Sequence, residues 1–159
     1  VINVLGRVHM DPMDDPFSAV ERELEAAPLG VVADAVIVDM HAEATSEKMG
    51  MGHFCDGRAS LVVGTHTHVP TADAQILPHG TAYQTDAGGC CDYDSVIGND
   101  KEEPLRRFTT RLSGGRYTPA SGPATICGVF VETDDRTGLA KRVEAIRVGG
   151  RLSQAIPQV

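Results

Sequence analysis

The sequence predicts an α/β fold, with a first part over about residues 1–70 that alternates buried strands with helices and a second part over about 71–150 that is mostly β. Three observations predict it. Apolar runs at VINVL, ADAVIVDM and ASLVV are separated by stretches of helical periodicity. Strands spaced by such helices form βαβ units, whose strands are parallel and whose crossovers are right-handed. After Pro70 the helical periodicity gives way to short runs broken by turn residues.

Taken in order, Val1 to Leu5 reads as a buried strand. Asp15 is a good helix N-cap, and Pro16 suits the first helical position. FSAVERELEAA places Phe17, Val20 and Leu24 on one face, with Glu and Arg opposite. ADAVIVDM ends a second strand at Met40, and EATSEKMGMGHFCDG reads as a helix stopped by Gly57. Ala59 to Val63 forms the third strand. AQILPHGTAYQTDAGG reads as two strands around a tight turn at Pro78, His79 and Gly80. A short amphipathic helix follows around EEPLRRF, with Asp100 as its cap. The run ATICGVFVETDDRTGLAKRVEAIRV then gives two long strands around DDRTG.

Composition narrows the function. At 159 residues with 42% hydrophobic residues, the chain suffices for one globular core. No apolar run is long enough for a bilayer helix, and VINVLGRVHM lacks signal-peptide features, so neither membrane insertion nor export is expected. The formal net charge of −8 disfavours a duplex nucleic-acid partner, although a metal could still bring phosphate to an acidic chain. Cys55, Cys90, Cys91 and Cys127 show no C-x-x-C spacing, which fits a reducing, cytoplasmic setting better than a zinc ribbon or a redox pair. The chain opens directly in a strand-like run without an initiator methionine, so an upstream segment is expected.

The residues that carry chemistry are histidines. His41 follows directly on VIVDM, and His66 and His68 follow on LVVG. The carboxyl ends of two parallel neighbouring strands lie on one sheet edge, where α/β proteins place their sites, so the three can meet. Gly64 is read as permitting a sharp exit from the strand. In an extended segment His66 and His68 point the same way while Thr67 turns aside. Three imidazoles favour a metal site over an acid/base pair or two surface histidines, though they do not name the reaction. His9, His53 and His79 read as ordinary solvated residues. Asp39 and Glu43 stand beside His41 as outer partners at best, and a capping or solvent role is expected for Glu43.

The strings GTHTHVPTADAQILPHGTAYQTDAG, DYDSVIG, DKEEPLRRF and VDMHAEATSEK closely resemble the YmdB-like metallophosphoesterases, a branch of the calcineurin-like superfamily, over nearly the whole chain. The resemblance implies a four-layer α/β/β/α metallophosphoesterase sandwich, present as a single partial domain over 1–159 whose N-terminal part is missing. It implies a di-metal phosphodiesterase acting on small phosphodiesters such as 2′,3′-cyclic nucleotides. Two divalent or trivalent ions are implied, with iron, manganese and zinc all suited to imidazole. His41 and His66 would hold one ion and His68 would face the other. No catalytic residue is assigned within the chain, since the general-acid histidine, an aspartate, a bridging glutamate and an asparagine are expected upstream, and the chain alone should be nearly inactive. Self-association is left open. Where the family reads VFMDP, DFHAE and GMCGDYDSVIGMD, this chain has Val8-His9-Met10, Asp39-Met40-His41 and Gly89-Cys90-Cys91-Asp92, with Asn99 before Asp100. Cys91 at a glycine position could distort a loop, and Met40 alters packing beside His41. Two competing readings are a non-catalytic metal-binding or scaffold protein and an unrelated mononuclear zinc hydrolase.

Overall fold

The computed structural model describes residues 1–11 and 13–158. The elements, in chain order, are β1 (Ile2–Leu5), α1 (Pro16–Ala26), β2 (Ile37–His41), α2 (Thr45–Cys55), β3 (Leu61–Thr65), β4 (Gln75–Ile76), β5 (Ala82–Gln84), β6 (Cys91–Asp92), α3 (Glu102–Thr110), β7 (Ala124–Thr133) and β8 (Ala140–Val148). One sheet of five strands has the order β1-β2-β3-β5-β4, and a second of three strands has the order β6-β7-β8. In the first sheet β1, β2, β3 and β5 run parallel and only β4 is antiparallel. The second sheet is antiparallel throughout. The fold is therefore mixed α/β.

Local chemistry explains the elements. Asp15 takes the N-cap of α1 and its carboxylate accepts from the Phe17 amide, with Pro16 at the first helical position. Val20 and Leu24 of α1, Val38 and Met40 of β2, Met51 and Cys55 of α2, and Val62 of β3 share one core cluster. Burying each large apolar side chain contributes about 1.5–3 kcal/mol. Gly57, at φ +84°, follows the end of α2. Helix α2 carries Gly50 and Gly52, each costing about 1 kcal/mol in a helix interior. At Gly52 the cost has a reason, because a Cβ would lie 2.6 Å from the Tyr83 ring of β5. Asp100 accepts from the Glu102 amide as expected, although Lys101 separates it from the first helical residue.

Ile37 and Leu61 of the first sheet and Val129 and Val131 of the second line one hollow between the sheets. Among the described residues no helix is long and apolar enough to cross a membrane. Two strands end later than the apolar runs suggest, β2 at His41 and β3 at Thr65. The pairing of His41 with Thr65 keeps the ladder going past the last apolar residue of each strand.

Gly64 departs from its expected role. It lies inside β3 rather than at an exit, and its φ is not positive. A side chain there would overlap the Thr85 carbonyl and meet Lys48 Cδ at 2.7 Å, so this glycine exists for close approach.

Candidate metal-binding site

The carboxyl edge of β2 and β3 brings the histidines together. His41, Thr65, His66, His68, Asp86, Gly88 and Gly89 line one hollow of about 230 Å³. His66 and His68 do not extend the strand, because β3 ends at Thr65 and the two take φ of 122° and 63°. The expected alternation of an extended segment is thus replaced by a bent loop. Positive φ at a non-glycine residue costs on the order of 1–3 kcal/mol and persists only where its surroundings enforce it.

Hydrogen bonds fix the imidazole tautomers. The Thr65 hydroxyl donates its single proton to Asp39 Oδ1 at 2.8 Å, so toward His41 Nδ1, 3.0 Å away, it acts as acceptor. His41 therefore carries its proton on Nδ1 and keeps a lone pair on Nε2. Asp39 is held in turn by Asn3 Nδ2 at 2.7 Å. His66 Nε2 lies 2.5 Å from Glu43 Oε2, which places the proton there and leaves Nδ1 free. Glu43 is thus a partner of His66, not a helix cap, and α2 has no side-chain cap at its start. His68 Nδ1 donates to the Ile97 carbonyl at 3.1 Å, freeing Nε2. With those nitrogens turned to their outer partners, each ring has its other nitrogen available to a metal.

The free atoms His41 Nε2 and His66 Nδ1 stand 3.2 Å apart, with the rings near perpendicular. Two lone pairs facing each other repel unless a cation lies between them. Two nitrogens bonded to one ion at about 2.0–2.1 Å stand roughly 2.8–3.4 Å apart for bond angles near 90–110°. The donor set fits a metal. His68 lines the same hollow without joining this pair, and among the described residues no three His, Cys, Asp or Glu side chains close on one ion position.

Beneath the loop lies a feature that sequence reading missed. Lys48 Nζ and Asp86 Oδ2 form an ion pair at 2.9 Å, both side chains 1% exposed. Asp86 also accepts the Thr67 amide on Oδ2 and the Gly88 amide on Oδ1, each at 2.9 Å. Burial pushes the Asp86 carboxyl up, but the bonds from Lys48, Thr67 and Gly88 outweigh it and hold the group below the ordinary carboxylate range. A depressed native value contributes stability that is full above the unfolded value of about 3.9 and is lost as pH falls through the native one. Thermal melts between pH 7 and 2 are expected to show the loss below about pH 4, and Asp86→Asn should remove part of that slope.

The remaining histidines stand apart from the hollow. His79 pairs with Asp56 at 3.0 Å and its side chain is largely exposed. All four cysteines are free, and burial pushes the Cys55 thiol up to about 12. Cys91 sits in β6 without a positive φ, so a cysteine there strains nothing. Met40 is fully buried in the core.

The profile of the family described as YmdB-like protein matches residues 1–146. The chain belongs to the YmdB-like family. It is 49% identical over 149 residues to a 2′,3′-cyclic-nucleotide 2′-phosphodiesterase of Bacillus subtilis, covering 93% of this chain and 55% of that protein. Among solved structures, a hypothetical protein from Thermus thermophilus superposes with a TM-score of 0.84 at 44% identity, covering 94% of this chain and 56% of that one. A structure described as a novel phosphatase of Mycoplasma pneumoniae gives 0.80 at 37% identity, covering 92% and 52%. The chain spans about half the length of each of these three proteins.

Proposed function

We propose that this YmdB-like chain is the C-terminal part of a metal-dependent phosphodiesterase, with two ions of iron, manganese or zinc, that hydrolyses small phosphodiesters such as 2′,3′-cyclic nucleotides. The observation that carries the reading is the pair of free nitrogens on His41 and His66 facing one another at 3.2 Å. The 49% identical relative named as a 2′,3′-cyclic-nucleotide 2′-phosphodiesterase supports the substrate class. In this reading the two stacked sheets belong to one four-layer α/β/β/α domain whose N-terminal part lies upstream and supplies the general acid. The setting is cytoplasmic.

His41 and His66 would hold one ion and His68 would face the other. When bound, the ions supply positive charge against the phosphate and a nucleophile at neutral pH. The residues of this chain bind and orient. Thr65 and Asp39 keep the proton of His41 on Nδ1, Glu43 accepts a hydrogen bond from His66 Nε2, and the Ile97 carbonyl accepts one from His68 Nδ1. With a net charge of −8, the chain depends on the ions to attract an anionic substrate.

The test compares the chain with a form extended upstream, each with His66→Ala. Metal content and hydrolysis of bis-p-nitrophenyl phosphate and 2′,3′-cyclic AMP are measured. The extended form is expected to hold two ions and turn over, the short form to hold at most one and not turn over, and His66→Ala to lose metal in both. Equal metal content with and without His66 would sink the assignment.

A further inference from the structure

We propose that the buried Lys48–Asp86 pair positions the histidine site, acting through the Thr67 amide on the two histidines that flank it. The inference rests on the reading that these histidines bind metal.

Geometry carries it. His66 and His68 both take left-handed backbone conformations within three residues, and the amide between them ends on Asp86 Oδ2. The second carboxylate oxygen holds Gly88, whose loop forms the opposite wall of the hollow. One carboxylate therefore ties both walls together. An asparagine has a single acceptor oxygen and could hold only one of them. Lys48 supplies the charge that lets Asp86 stay ionised at 1% exposure, and its stem reaches there past Gly64, where no side chain intervenes. The Tyr93 hydroxyl and the Gly89 amide meet the His68 carbonyl from the other side, at 2.9 and 3.0 Å. Buried ion pairs seldom stabilise more than apolar residues of the same volume. A pair serving stability alone has little reason to be charged, whereas a pair that must present two acceptor oxygens at fixed positions does.

The test uses the full chain, with Co²⁺ as the probe. Wild type, His66→Ala, Asp86→Asn and the double variant Lys48→Met/Asp86→Asn, which leaves no unpaired buried charge, are titrated at a temperature where circular dichroism shows each folded. Outer partners of metal ligands typically govern affinity by about 10–100-fold. Both Asp86 variants are expected to bind Co²⁺ weaker by about that factor, with altered visible bands. A role confined to packing would lower the melting temperature and leave the affinity and bands of the folded chain unchanged, which overturns the proposal. Hydrogen exchange at the Thr67 amide of the wild type gives a readout that no variant can confound. Slow exchange is expected, and exchange at the rate of an open loop overturns the clamp. If His66→Ala binds Co²⁺ as well as wild type, the metal reading fails and this inference with it. If only the Asp86 variants match wild type, the metal reading survives alone.

Discussion

Replacing Gly64 with alanine is expected to cost more than about 4 kcal/mol, enough to deprive the chain of most of its stability. The added methyl would overlap the backbone carbonyl of Thr85, on the segment leaving the neighbouring strand, and crowd the Lys48 stem. Ordinary overpacking costs about 1–3 kcal/mol because side chains change rotamer. Here the obstacle is backbone inside a parallel sheet, so relief requires β3 and β5 to separate beyond the hydrogen bond from the Ala87 amide to the Gly64 carbonyl. Urea unfolding measures the effect, and a midpoint near that of wild type would show that the two strands are not so closely apposed.

Lys48→Met is expected to destabilise by about 3–5 kcal/mol, since it strands an ionised carboxylate in the interior. The deficit should narrow as pH falls, because protonation of Asp86 removes the uncompensated charge. Adding Asp86→Asn should restore part of the loss, so the double variant is less impaired than the two single losses added together. Equilibrium unfolding of the four proteins at pH 7 and 5 gives the cycle. A purely additive result would mean that the pair does not interact in the folded chain.

Much of the fold was legible because its signals are local. Asp15 with Pro16 marks the start of α1, the 3.6-residue spacing of Val20 and Leu24 marks its buried face, and the DDRTG turn marks the hairpin of β7 and β8. Strand ends were less legible, because apolarity reports burial while the ladder follows pairing, and β2 and β3 pair as far as His41 and Thr65. The histidines were found by their place after two apolar runs. The bent backbone at His66 and His68 and the contact of Glu43 with His66 were not, since both depend on partners distant in sequence. Lys48 shows why. A lysine in an amphipathic helix reads as solvated, and its burial becomes visible only when Asp86 and the gap above Gly64 are in place. The one hint was Gly64 itself, whose missing side chain was read as a bend instead of a space.

The order of the chain adds a consequence in time. His41, His66 and His68 all precede Gly80, whereas the aspartate that grips the loop comes after β5. A ribosome that has released the chain only as far as Gly80 has delivered His41, His66 and His68 together with Glu43 and Lys48, but not Asp86, which holds the amide between the last two histidines. Synthesis proceeds at about 5–20 residues per second, and parallel strand pairing is slow among folding events. Metal offered during synthesis would therefore meet His41 already held by Thr65 and Asp39, and the loop of His66 and His68 clamped only after β5 has docked on β3.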